Sequence, residues 1–380
     1  MLRVVIQTVR LGAYGLILTG LAFAAHGEGM RLLEQPERWI IPDGGYDSFV
    51  YEEPGQVYFQ RGGGLPGTLL SRDDFENFEL QFQVSMSRGN QGGLYIGKPR
   101  NGAYRAAIQL RLSNQESGPL TPYCGGALYR EEAPQTFAMK EAYEWNEVFV
   151  RMDWPRLEVE INGESIHDVD LSEHESLQYK PRRGAIGFLS NSGHYRVRNL
   201  ELTPLPDTEP AVTLFDGHSL DGWEVIHGDA IWTIHEGALR GENGNGYIMH
   251  EKEVEDFDLR LYYRTSPAAN GGVFFRWVNA PTLQQTSRGH EIQIWDMPEG
   301  YWMSGSIYNI ERGCDLAIWP GEWNFMQISV RGGGAVVHIN GVRVAETSAL
   351  EAIRPGMIAL QMHSANAWVD HKDIVLVPHD

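Results

Sequence analysis

The chain has 380 residues, 42% of them hydrophobic, 11% aromatic and 21% charged, enough apolar content for packed cores rather than disorder. Its formal net charge of −19 argues against nucleic acid or an anionic membrane surface as partner, because both demand clustered lysine and arginine. Neutral sugars remain compatible with that balance.

The first segment reads as a targeting sequence. Arg3 and Arg10 precede an apolar run from Leu11 to Ala25, and Ala22-Phe23-Ala24 supplies small residues for cleavage. Residues 1–24 are set apart as a signal peptide, so the protein is expected to be exported, periplasmic or extracellular, with no membrane attachment after cleavage. An uncleaved anchor is the competing reading, but Gly20 interrupts the run, which falls short of about 18 residues. Cys124 and Cys314 are too few for a disulfide framework, so each domain must stand on its hydrophobic core; a bridge between the two cysteines stays open.

From residue 31 onward the pattern is β. Phe78-Glu79-Leu80-Gln81-Phe82-Gln83-Val84 alternates apolar and polar residues, as does Phe257-Asp258-Leu259-Arg260-Leu261-Tyr262. Further β-rich runs fall at Val148 to Met152, Leu157 to Ile161, Met326 to Val330 and Ala335 to Ile339, separated by Gly, Pro, Asn and Asp turns. Many short strands without intervening helices predict an all-β protein built from two-sheet sandwiches.

The motifs occur twice. Asn90-Gln91-Gly92-Gly93 matches Asn270-Gly271-Gly272, and Gly126-Ala127-Leu128-Tyr129 matches Gly305-Ser306-Ile307-Tyr308. Glu144-Trp145-Asn146 matches Glu322-Trp323-Asn324, and Ile161-Asn162-Gly163 matches Ile339-Asn340-Gly341. A period this long indicates a duplicated domain rather than a solenoid. The first repeat is placed at residues 31–205 and the second at 212–380, joined by a proline-rich linker at 204–211.

In the second repeat, Phe215-Asp216-Gly217-His218-Ser219-Leu220-Asp221-Gly222-Trp223, Asn270 to Arg276, Glu291 to Asp296, Gly321 to Asn324 and Leu360 to His363 resemble the 3-keto-disaccharide hydrolase domain family, formerly a domain of unknown function. The resemblance implies two concanavalin A-like jelly-roll sandwiches in tandem, a carbohydrate substrate, and activity on glycosides already oxidised to a ketone at C3. It also implies a separate sugar 3-oxidoreductase as metabolic partner. The first repeat is similar only in its framework: Gly97 stands for Arg276, Ala107 for Glu291, Leu112 for Asp296 and Asn191 for His363.

Strand alternation would put Glu291, Gln293 and Trp295 on one face, with Ile292 and Ile294 toward the core. A tryptophan beside a carboxylate and an amide suits a pyranose. With the C3 ketone acidifying C2–H, the expected catalytic set is Glu291 as base, His363 as acid/base and Arg276 as enolate stabiliser. Gln293, Trp295, Gln361, Tyr308 and Asp296 are the expected substrate contacts. A divalent metal on Glu291 and His363 is an alternative way to hold the enolate charge, although no tight ligand spacing is present.

Each residue also has a structural reading. Glu291 can be a solvated strand residue, His363 a core histidine, Arg276 one half of an ion pair, and Asp296 a turn cap. Trp145, Trp223 and Trp323 are assigned to the cores, and Gly271 and Gly272 to a turn or bulge. His290 and His338 are weaker site candidates. Ordinary glycoside hydrolysis by Glu291 and Asp296, and a lectin-like protein without catalysis, are the competing functions. No phosphate loop, dinucleotide fingerprint or nucleophile elbow is found.

Overall fold

The computed structural model describes residues 29–42, 49–60, 67–100, 105–115, 118–206, 211–280, 288–297, 300–314, 317–351 and 354–379. The signal-peptide assignment, and the part of the linker at 207–210, lie outside the described residues. No α-helix occurs among the described residues, so none is long and apolar enough to cross a membrane.

The first domain is a sandwich of two antiparallel sheets. One sheet runs Glu164–Asp170, Arg156–Ile161, Trp145–Asp153, Phe78–Met86, His194–Pro204, Gln56–Gln60, Phe49–Glu53. The other runs Trp39–Ile40, Gly67–Phe75, Gly184–Ser190, Gly92–Lys98, Ile108–Leu112. The alternation read in Phe78 to Val84 is real: Phe78, Leu80, Phe82 and Val84 are buried in the core between the sheets, while Gln81 is exposed.

In the second domain the same plan is drawn with longer strands. Ala238–Val254 and Gly356–His379 each run through both layers, so all strands connect into one sheet folded over a second core of Leu259, Phe275, Ile292, Ile294, Ile328 and Leu360 among others. Cys124 and Cys314 are both free thiols. Of the three tryptophans assigned to cores, only Trp223 belongs there, its indole donating to the Leu214 carbonyl at 2.7 Å. Trp145 and Trp323 are half-buried and each carries a cation on its ring, Arg198 at 3.8 Å and Lys372 at 4.1 Å. The indole face is used as a lid over the sheet, which the glutamate–tryptophan–asparagine motif alone does not reveal.

The repeated asparagines have a structural cause. Asn340 sits at φ 51° in the turn after Val336 to Ile339, accepts from Phe325 N–H at 2.9 Å, and donates to Ala317 O at 2.7 Å and Asn324 Oδ1 at 2.8 Å. Asn324 Oδ1 also takes Trp319 N–H at 2.8 Å. The first domain repeats the device with Asn162 (φ 55°) and Asn146, which are 2.9 Å apart through their amides. An asparagine tolerates the left-handed turn and its amide closes the bonds of two neighbouring segments.

Asn340→Ala therefore leaves the Phe325 N–H and the Ala317 carbonyl buried without partners. It is expected to cost about 2–3 kcal/mol in denaturant unfolding, whereas substitution of the exposed Glu346 is expected to change little.

Candidate active site

Three strands set the geometry. Gly271–Trp277 lies between His290–Ile294 and Gly356–His379, and the register aligns Gln293, Gly272, Gln361 and Tyr247 in one row across four strands. The next row on that face is Glu291, Phe274, Ala359 and Met249. Because side chains alternate, both rows point out of the sheet while Ile292 and Ile294 are fully buried in the core behind them.

A cavity of about 440 Å³ opens over these rows. Glu291, Gln293, Tyr308, Gln361 and His363, all expected from the sequence, line it together. Tyr308 is brought to Glu291 by a backbone bond, its N–H donating to the Glu291 carbonyl at 2.9 Å. Gln361 donates to the Tyr247 hydroxyl at 2.9 Å and Gln293 to Asn270 Oδ1 at 3.2 Å, which fixes both amides. His363 is exposed at the rim, its backbone N–H held by the Asn270 carbonyl at 2.8 Å, and so it is not a core histidine.

Glu291 is laid across Gly272. A Cβ built on Gly272 would stand 2.5 Å from Glu291 Oε1, so the glycine is required by close approach of the carboxylate. This corrects the turn-or-bulge expectation for Gly271 and Gly272, which lie inside a regular strand. Beside the carboxylate the floor is apolar: Phe274, Tyr247 and Trp277 pack with ring centroids 5.1–5.7 Å apart. Burial pushes the Glu291 carboxyl up to about 7, with the Arg288 guanidinium pulling weakly the other way. Among the described residues its carboxylate takes part in no hydrogen bond.

Three expected site residues lie elsewhere. Arg276 is fully buried away from the cavity, at φ 55°, and its guanidinium donates to Glu255 O at 3.1 Å, Asp256 Oδ1 at 3.1 Å and Gly332 O at 2.8 Å. The left-handed backbone explains why Gly97, at φ 67°, holds the matching position of the first domain. Asp296 faces Tyr263, Thr265 and Ser304, whose hydroxyls donate to it at 3.2, 3.0 and 2.6 Å, so it is a half-buried turn anchor and no partner for Glu291. Trp295 misses the cavity because the strand ends at Ile294; the ring packs against Gly300 instead.

The sequence reading missed Tyr247, Arg288, Asn270, Asn245 and His227, which with Gly228 complete the lining. Tyr247 and Phe274 are buried, with the Arg288 guanidinium 5.4 Å from the centre of the Tyr247 ring, so the exposed ring of the lining is Tyr308, and its cation is Arg288 rather than Arg276. His290 is buried outside this lining, and His338 lies in a separate crevice between the domains. No cluster of three or more His, Cys, Asp or Glu side chains suited to a metal ion occurs among the described residues. Glu291 and His363 are the acidic and imidazole ligand types facing the cavity, with His227 engaged to Asn279 at 3.0 Å.

A sequence profile of the 3-keto-alpha-glucoside-1,2-lyase-like domain matches the chain twice, over residues 34–203 and 210–376. The chain belongs to this family, in two copies. A 3-keto-disaccharide hydrolase of Bacteroides thetaiotaomicron is 23% identical over 182 residues, an alignment covering 40% of this chain and 62% of that protein. Among solved structures, a candidate glycosyl hydrolase from Parabacteroides distasonis aligns at TM-score 0.40 and 16% identity, over 46% of this chain and 93% of the other. A carbohydrate-binding module from Bacillus subtilis aligns at TM-score 0.31 and 12% identity, over 40% of this chain and 93% of the module.

Two outcomes test this geometry. A carboxyl raised from its unfolded value to about 7 binds its proton more tightly in the folded state, so stability falls as pH rises from about 4.5 to about 7. Glu291→Gln removes that fall: the variant should exceed wild type by on the order of 2–3 kcal/mol at pH 8 and match it at pH 4 in denaturant titrations. Arg276→Gly keeps the left-handed backbone but strips the buried guanidinium, and should lose on the order of 3 kcal/mol while ligand affinity of the second-domain cavity is kept.

Proposed function

We propose that the second domain cleaves 3-keto-glycosides or 3-keto-disaccharides, with Glu291 as the base that removes the proton on C2. One observation carries this reading: a single carboxylate, desolvated beside an aromatic floor and raised to about 7, is presented to a cavity of sugar size. The family match and the resemblance to a 3-keto-disaccharide hydrolase support the substrate class.

Removal of the C2 proton by Glu291 leaves an enolate delocalised onto the C3 oxygen. Collapse of that enolate breaks the C1–O bond and expels the aglycone, giving an enone; addition of water at C1 completes hydrolysis. In this mechanism Arg288 offsets the enolate charge and His363 protonates the departing oxygen, a reading supported by their joint presence in the cavity lining. Gln293 and Gln361 hold ring hydroxyls, while the exposed Tyr308 offers an aromatic surface to the C–H face. Where a divalent ion binds, Glu291 and His363 would hold it and it would supply further charge stabilisation for the enolate. Ordinary two-carboxylate hydrolysis is disfavoured because Asp296 is locked among three hydroxyls outside the cavity. In this reading the chain is exported through residues 1–24, and a sugar C3 oxidoreductase supplies its substrate.

Incubation with 3-keto-trehalose or a 3-keto-β-glucoside in D2O should place deuterium at C2 and release the aglycone, while the unoxidised glycosides stay intact. Turnover should rise with pH to a plateau above about 7. Glu291→Gln should lower kcat by at least about a hundredfold with substrate binding largely kept. A wild-type protein that binds these ketosugars, metals supplied, yet never turns them over would leave a carbohydrate-binding protein.

A further inference from the structure

The matching face of the first domain is also hollow, and larger. Its cleft of about 850 Å³ is built on Tyr95, Gln109 and Tyr129 and is walled by Trp319 of the second domain, a residue 38% exposed. Gln109 pairs with Tyr95 as Glu291 pairs with Phe274, so the structure puts Gln109, not the Ala107 expected from the sequence, in the place of Glu291, with Asn191 in that of His363; the base proposed for the second domain is missing.

What replaces it is positive charge. Lys98, Arg105, Arg111, Arg130 and Lys180 line the cleft against one carboxylate, Glu131, in a chain whose formal net charge is −19. Glu131 is already satisfied, paired with Lys180 at 3.0 Å and accepting from the Ser176 hydroxyl. Arg111 and Arg130 lie over the Tyr129 ring at 4.9 and 5.4 Å, and Arg111 Nε is buried with no hydrogen bond among the described residues. Lys98 is 4% exposed. Gathering cations into a partly desolvated concavity works against folding, and the cost is offset when an anion occupies it.

We propose that this cleft is a non-catalytic binding site for an anionic saccharide, one that carries carboxylate or sulfate groups. Guanidinium groups suit those oxyanions through paired hydrogen bonds, and the exposed Trp319 offers a flat surface on which a sugar ring stacks. The site does not depend on turnover in the second domain.

Titration calorimetry of the full chain with trigalacturonate, a sulfated chondroitin disaccharide and neutral maltotriose tests this and separates carboxylate from sulfate. At least one acidic ligand should bind about tenfold or more tightly than maltotriose, with affinity falling as salt is raised. Arg111→Gln should weaken that binding by at least about tenfold, as should Arg130→Asn, which tolerates the φ of 73° and alters an exposed residue if the first variant folds poorly. Glu291→Gln should leave it unchanged, so the result stands apart from the fate of the proposed enzyme activity. Equal affinity for neutral and acidic ligands, indifference to both arginine variants, or complete displacement by equimolar inorganic sulfate would overturn the proposal.

Discussion

The register of three strands is the constraint on which the rest of the second domain depends. With Gly272 opposite both Gln293 and Gln361, the side chains of Glu291, Gln293 and Gln361 emerge on one face while Ile292, Ile294 and Leu360 enter the core on the other. A slip of one residue would exchange those faces completely. Glycine at 272 adds a second condition: only without a side chain there can the Glu291 carboxylate lie flat against the sheet, beside Phe274 and away from bulk water. Desolvation, and hence basicity, follows from a missing Cβ.

The first domain keeps that register and changes its use. Gly93 pairs within Gly92–Lys98 as Gly272 does in its own strand, but the group within 2.5 Å of a Cβ built there is Gln109 Nε2. Gln109 holds the register position of Glu291, so an uncharged amide covers the same glycine that the carboxylate covers in the second domain. The scaffold conserved between the copies is therefore the hollow over a diglycine strand and the asparagine pair that ties the edge turns. The chemistry laid over it is free to differ.

Much of this was legible in the sequence because it depends on period. Alternation gives faces, so the cores, the sandwich class and the joint placement of Glu291 and Gln293 could be read from single strands, and the duplication gave the domain plan. Features that depend on where a strand ends or which backbone well a residue occupies were not legible. Trp295 obeys alternation only if the strand continues past Ile294, and it does not. Arg276 looked like chemistry because its copy is glycine, yet an arginine aligned with Gly97 is also a hint of left-handed backbone. Tyr247 and Arg288 come from a long bent strand and from just before the His290–Ile294 strand, and sequence spacing says nothing about how those reach the cavity.

The two clefts also differ in electrostatics in a way that makes their residues coherent. A carboxylate works as a base near neutrality when it is desolvated and only weakly paired, as Glu291 is with a single guanidinium nearby. Placed at position 109, in the cleft lined by Arg105, Arg111, Lys98 and Lys180, a glutamate would be held ionised by those cations and its basicity lost. A concave face can favour anions through many cations or abstract protons through one isolated carboxylate, but the first arrangement disables the second. Duplication lets one chain carry both, each on its own copy of the same sheet.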